Sequence, residues 1–232
     1  MKNAVLLILV AVILSCNEQP KVMQTELKEH HADHHDGHQG DANQYMHQAS
    51  FEELLERFES PKRDAYQKPE KVLDYLGNVQ GKTIMDIGAG SGYFSVKLAA
   101  QGAKVIAADV DDKFQEHIKK RIQENNLTNI ETRKIPYDSP NLNKEEADMV
   151  LIVNTYHHIE NRPDYFTKVK EGTTMNGELI IIDFFKAESP VGPPIDHKIS
   201  IDKVIHELRK AGYSSFEVNV DLLPYQYIIR AL

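Results

Sequence analysis

Two stretches of this 232-residue chain combine residue types and spacing suited to chemistry. The run Asn154-Thr155-Tyr156-His157-His158 follows an apolar segment and presents two imidazoles, whose ordinary pKa lets them take or give a proton near neutrality. His157 is the first candidate for taking a proton from an acceptor or orienting it, and Tyr156 is the second. The alternative is that both histidines are hydrogen-bonded walls of a crevice. The other stretch is Asp86-Ile-Gly88-Ala89-Gly90-Ser-Gly92, which also follows an apolar run. Alternate glycines tolerate positive φ and leave no Cβ between backbone and ligand. Placed on a strand-to-helix turn, they would aim backbone N–H groups and a helix N-terminus at a polar ligand. About twenty residues on, the next apolar run ends in Asp109, where a carboxylate can accept two ribose hydroxyls.

The spacing narrows the ligand. A dinucleotide fingerprint, G-x-G-x-x-G, would need its third glycine at 93, where this chain has Tyr93. Asp86 would repel a pyrophosphate and suits a ligand with ammonium and sulfonium charges. With these residues the chain resembles the class I S-adenosylmethionine-dependent methyltransferases, whose glycine-rich motif matches residues 86–92 and whose ribose acid matches Asp109. The resemblance covers roughly residues 60–232. It implies S-adenosylmethionine as cofactor, methyl transfer by in-line displacement, and a Rossmann-like, doubly wound α/β fold. The sheet would be seven-stranded and mainly parallel, closed by an antiparallel C-terminal strand. It implies further that Asp86, Gly88, Ala89, Gly90, Gly92, Asp109 and Asn154 contact the cofactor, with Asp138 near the adenine amino group. The segment before the first strand would close over the cofactor, which makes Arg63, Tyr66 and Gln67 lid candidates; a plain surface turn is the equal alternative.

The elements that must position these groups follow from periodicity. Apolar runs at 82–87, 104–108, 130–134, 148–153 and 178–185 read as strands, and open α/β sheets bind ligands beyond the carboxyl ends of such strands. Helical spacing recurs at 51–58, after Pro69 up to Gly77, and over 93–100, 112–125, 164–171 and 201–211. Residues 175–177 read as a turn. The loop 186–198, with Pro190, Gly192, Pro193 and Pro194, is long enough to form part of an acceptor pocket, and His197 and Lys198 are its candidates for acceptor contact unless it is a plain surface loop. Strands at 214–220 and 225–230, joined by a short turn, resemble the antiparallel pair that closes a methyltransferase sheet.

Composition sets the frame. With 41% hydrophobic residues there is chain enough for one sizeable core, and a formal net charge of −8 argues against non-specific nucleic-acid binding. The local cluster Lys113, Lys119, Lys120 and Arg121 fits the solvated face of a helix. At the N-terminus, Met1 and Lys2 precede an apolar run at 4–14, too short to span a bilayer and matching the h-region of a signal peptide. Ile13-Leu14-Ser15-Cys16 resembles a bacterial lipobox, which implies a signal peptide at 1–15, lipidation of Cys16, the only cysteine, and a membrane-anchored protein on the exported side, periplasmic or outer-membrane. Residues 16–47 read as a His-rich flexible tether, leaving 48–232 as the methyltransferase-like domain. His30, His31, His34, His35 and His38 are weak metal candidates, set against a solvated linker.

A small-molecule acceptor is expected. Asn154-Thr-Tyr-His157 is not the NPPY type used on exocyclic base amines, and one cysteine cannot bind arsenic as several do. Because S-adenosylmethionine is made in the cytosol, two alternatives stay open. One is a membrane-anchored module binding an adenosyl-type or other small ligand without turnover; the other is an NAD(P)-dependent oxidoreductase, disfavoured by Tyr93.

Overall fold

Short apolar runs that alternate which face they bury need cover on both sides, and the chain supplies it by winding helices around a central sheet. The computed structural model describes residues 49–232. Three helices come first, α1 (Phe51–Phe58), α2 (Pro61–Gln67) and α3 (Pro69–Leu76). Then follow β1 (Thr83–Ile87), α4 (Tyr93–Ala100), β2 (Lys104–Asp109), α5 (Asp112–Glu124), β3 (Ile130–Lys134) and β4 (Ala147–Val153). The chain ends with α6 (Arg162–Gly172), β5 (Thr173–Phe184), α7 (Ile201–Lys210), β6 (Phe216–Asn219) and β7 (Gln226–Ala231). The sheet has seven strands in the order β3-β2-β1-β4-β5-β7-β6. The first five run parallel, and β7 lies antiparallel between β5 and β6. This is the doubly wound, mainly parallel architecture expected from the sequence.

Period-two alternation divides the core. Ile84, Met149, Leu151 and Ile180 face one side, against Val72, Phe94 and Leu98. Met85, Val150, Ile152 and Ile181 face the other, against Phe166, Leu208 and Tyr227. Chain order reverses between β1 and β4, so the connections leave in opposite directions and a crevice opens above the carboxyl ends of these two strands.

Two local features depart from the sequence reading. Strand β5 begins at Thr173, ahead of the turn expected at 175–177, and its register against β4 jumps from Ala147–Thr173 to Met149–Glu178. The intervening residues are the expected turn absorbed as a bulge, with Met175 exposed at its tip. The lid segment is a helix, α2, opened by Pro61 and capped by the Ser60 hydroxyl, which accepts from the Arg63 amide. Among the described residues no helix is long and apolar enough to cross a membrane, and none group three or more metal-type ligands. The signal-peptide run, Cys16 and the histidines from His30 to His38 lie outside the described residues.

Candidate functional site

The glycine turn after β1 spends its amides on the protein itself. Gly88 and Ala89 donate to the Ala108 carbonyl (2.9 and 3.0 Å), Gly90 donates to Asp109 Oδ2 (2.8 Å), and Gly92 donates to the Ala89 carbonyl (2.8 Å). The sequence reading had these N–H groups aimed at a ligand; the structure uses them to tie the turn to the end of β2. The glycines serve close approach instead. Gly88 has φ +73°, and a Cβ there would fall 2.5 Å from Thr155 Cγ2.

A cavity of about 300 Å³ sits above this turn. Gly88, Ala89, Gly90 and Asp109 line it, as do Asn154 and His157 after β4, Arg63 and Tyr66 of α2, and His197. Asp109 is buried, its Oδ1 accepting from the Asp111 amide (2.9 Å) and its Oδ2 from Gly90, which leaves lone pairs on both oxygens for further donors. Burial raises its carboxyl above the usual range. A wall that the sequence reading missed comes from Phe58 of α1 and Phe114 of α5, stacked 5.6 Å apart with Phe51 behind Phe114, and from Val110 and Tyr137. The helical periodicity of Phe51 and Phe58 was visible in the sequence; which face turned to the cavity was not.

Arg63, with Arg57 of α1, brings positive charge to the cavity wall. The Arg63 guanidinium lies 4.1 Å from the Tyr93 ring centroid, Nη1 donates to the Phe58 carbonyl (3.1 Å), and Nε is buried with no hydrogen-bond partner. Burial lowers its pKa, opposed by nearby Tyr66, Tyr93 and Asp86. A half-satisfied guanidinium at a cavity wall is a receptor for a carboxylate.

At the β4 end, the one-turn helix Tyr156–His158 sends adjacent side chains in different directions. His157 lines the cavity, with Nδ1 lying 3.0 and 2.9 Å from Oδ1 and Oδ2 of Asp183 at the end of β5. Asp183 is fully buried and also accepts from the amides of His157 (3.2 Å) and Phe184 (2.8 Å). With Nδ1 committed to a carboxylate, the neutral ring keeps its lone pair on Nε2. The strand end at Asp183 was legible in the sequence, its pairing with His157 was not.

Six candidates stand elsewhere than expected. Tyr156 is buried in the core, stacked on Phe166 and donating to Glu207 (2.7 Å), so it faces away from the cavity. Lys198 is also buried, because Nζ donates to the Ala187 carbonyl and the Ser189 hydroxyl (both 2.7 Å) and so staples its own loop. Gln67 is buried behind the wall, accepting from Asn154 Nδ2 (3.1 Å). Asp138 borders a neighbouring depression, its carbonyl held by Lys168 (2.8 Å), while its neighbour Tyr137 reaches the main cavity. Asp86 lies beneath the turn, where its carboxylate accepts from Ser95 (2.6 Å). Gly92 does not line the cavity either; it caps α4 in the left-handed conformation.

Comparison with known proteins places this geometry. Residues 84–177 match the model of a methyltransferase domain. A solved structure of an S-adenosylmethionine-dependent methyltransferase from Aquifex aeolicus is 25% identical, with a TM-score of 0.73 over 79% of this chain and 98% of that one. The tRNA U34 carboxymethyltransferase of Haemophilus influenzae is 29% identical over 119 residues, 49% of this chain and 36% of that protein. The ubiquinone biosynthesis O-methyltransferase of Acinetobacter baumannii is 30% identical over 104 residues, 45% of this chain and 43% of that protein. The chain thus spans less than half the length of these curated relatives. Because one of them is named for tRNA, the expected absence of a nucleic-acid partner gains no support.

Two outcomes test the turn. Gly88→Ala forces a side chain into a left-handed backbone against Thr155, and should lower unfolding free energy by about 1–3 kcal/mol in urea titrations; an unchanged midpoint would mean the two strand ends are not packed as described. Burial pushes the Asp86 carboxyl up to about 6, against its ordinary 3.8. Its neutral form stabilises the fold fully below pH 4, and that contribution is lost as pH rises through 6. Relative to wild type, Asp86→Asn should therefore gain on the order of 3 kcal/mol in stability between pH 4 and 7. Parallel stability curves for the two proteins would contradict the assignment.

Proposed function

We propose that this chain, which carries a methyltransferase domain of the S-adenosylmethionine-dependent kind, transfers a methyl group to a small-molecule acceptor held above the ends of β4 and β5. The observation that carries the reading is the buried, unpartnered Nε of Arg63 on the same cavity as Asp109 and the glycine turn. These residues fit an adenosyl amino acid. Asp109 suits ribose hydroxyls, the Phe58, Phe114 and Val110 wall suits a purine face, and Arg63 suits the amino-acid carboxylate. The turn, with the amides of Gly88, Ala89, Gly90 and Gly92 already bonded within the protein, offers close backbone approach with few donors for an anion, which favours a sulfonium ligand over a pyrophosphate. The dinucleotide alternative thus loses its main support, and no observation favours a binding module without turnover.

When bound, S-adenosylmethionine supplies an electrophilic methyl on a sulfonium. The chain's own part is to hold, orient and exclude water. Arg63 and Asp109 fix the two ends of the cofactor, and α1 with α2 covers it. His157, oriented by Asp183, stands on the acceptor side with a basic nitrogen available. Positioning of reactants in line supplies much of the acceleration for such a displacement. The N-terminal anchor belongs to the same proposal: lipidation at Cys16, supported by the lipobox spacing, would hold the domain on the exported side of a membrane.

Calorimetry on the full chain should detect S-adenosylmethionine binding, weakened by about 1–3 kcal/mol in Asp109→Ala. Arg63→Met should cost about tenfold or more in affinity for S-adenosylmethionine yet leave the decarboxylated cofactor nearly unaffected. Absence of binding, or equal loss for both ligands, would refute the assignment. For the anchor, cells fed labelled palmitate should label wild type and not Cys16→Ser; labelling that persists in the variant would remove the lipoprotein proposal.

A further inference from the structure

The acceptor side of the cavity is chemically one-sided. The acidic residues lining the cavity, Asp109 and Asp111, both sit at the end of β2. Across the sheet order, β2 and β5 are three strands apart, a span of about 14 Å at ordinary strand spacing. The side over β4 and β5 is formed by Tyr66, His157, His158, Phe184, Pro193 and His197, with no carboxylate exposed to it. Asp183 is there, but it is buried and bonded to His157.

An ammonium acceptor finds nothing to hold it in this half. Aromatic rings alone could attract a cation, but the Phe184 ring already has the Lys198 ammonium 5.7 Å from its centroid, and a second cation would be repelled. The rings suit a flat, neutral guest instead. Tyr66 and Phe184 lie with centroids 6.1 Å apart, and Gly192 presses against Phe184 so closely that a Cβ would sit 2.6 Å from the ring. The cavity must also accommodate the cofactor, so the guest is small.

The His157–Asp183 pair then selects the reacting atom. A carboxylic acid is already ionised near neutrality and needs no base, and an aliphatic alcohol is too weak an acid for an imidazole to deprotonate usefully. A ring hydroxyl, with a pKa of about 10 as in tyrosine, falls within reach. Resting on the methyltransferase reading above, we infer that the acceptor is a single-ring phenol or enol, seated against the contiguous Tyr66 and Phe184 rings, whose hydroxyl proton is taken by His157 with Asp183 as its positioning residue. The acceptor oxygen gives its proton to Nε2 and forms the O–CH₃ bond as the S–CH₃ bond breaks, the electron pair of that bond staying on sulfur. The proton leaves His157 to solvent, and the products are the methyl ether and S-adenosylhomocysteine.

The test uses the full chain and two readouts. In the first, 4-nitrophenol is titrated by ultraviolet difference spectroscopy in the presence of S-adenosylhomocysteine. Wild type should draw out the phenolate band at a lower pH than free probe shows, His157→Gln should lose the effect, and Asp183→Asn should displace its pH profile. Both variants should bind S-adenosylhomocysteine within about threefold of wild type, which separates a lost proton acceptor from a lost fold. In the second, radiolabelled methyl transfer to catechol and 4-hydroxybenzoate should exceed transfer to benzylamine and benzyl alcohol by at least about tenfold, and His157→Gln should cost about a hundredfold. Benzylamine methylated as fast as the phenols, cofactor bound with no ring hydroxyl methylated, or an unaltered His157→Gln rate would each overturn the phenol assignment. Failure to bind either adenosyl ligand would instead bring down the methyltransferase reading, and this inference with it.

Discussion

The amides of Gly88, Ala89 and Gly90 bond to Ala108 and Asp109, and this clamp between the end of β1 and the end of β2 sets the geometry on which the rest of the site depends. Three donors satisfied inside the protein leave a turn that is rigid and offers no donors of its own at those positions. The same bonds orient the Asp109 carboxylate, which would otherwise be an expensive buried charge. Each carboxylate oxygen already accepts one backbone amide, so its plane is fixed before any ligand arrives, and that is the condition for paired hydroxyl recognition. Gly88 is required for a steric reason: the chain there passes so close to Thr155 that no side chain fits.

Above this floor the cover is tied to the sheet by polar contacts that would be wasted on a surface turn. Tyr93, the first residue of α4, donates to Asp64 of α2 while its ring receives the Arg63 guanidinium. Asn154, in left-handed backbone at the end of β4, bonds Gln67 of α2 on one side and Gln226 of β7 on the other. Lys68, between α2 and α3, donates to the Leu222 carbonyl (3.3 Å). The helix that carries Arg63 and Tyr66 is thereby registered against β4 and β7, and a shift of any one would be transmitted to the cavity wall. Tyr93 excluded the dinucleotide fingerprint by its position. Its hydroxyl shows why that position is not a glycine.

Much of the fold was legible because period-two and period-three-to-four patterns report burial, and burial is what builds these elements. Strands β3 and helix α4 coincide with their sequence ranges, and the closing β6–β7 pair falls where the short turn placed it. The cavity lining was legible where a residue's place follows from backbone position, as with Gly88, Gly90 and Asp109. It was not where the role depends on which way a side chain points. Tyr156 and His157 are neighbours, yet the tight turn rotates one into the core and the other to the cavity. Lys198 looked like an acceptor contact because a lysine is ordinarily exposed. Its loop instead folds back and offers it a carbonyl and a hydroxyl. Asp183, 26 residues from His157, could be paired with it only once β4 and β5 were known to be neighbours.

The position of His157 is set from below as much as from beside. Tyr156 donates to Glu207 of α7, whose carboxylate also takes Arg162 Nε of α6 at 2.7 Å, and the Tyr156 ring stacks on Phe166. These bonds join the turn after β4 to the two helices covering that face of the sheet. Burial raises the Tyr156 hydroxyl far above the usual phenol range, so it stays a fixed donor throughout the pH range in which an imidazole works. Asp183 fixes the ring of His157, and Tyr156 fixes the backbone from which that ring projects. Tyr156, which the sequence offered as a catalytic candidate, therefore serves one step removed from the cavity, by holding the turn from which His157 projects. In the turn after β4 this division of labour falls between two neighbours, Tyr156 facing the core and His157 the crevice.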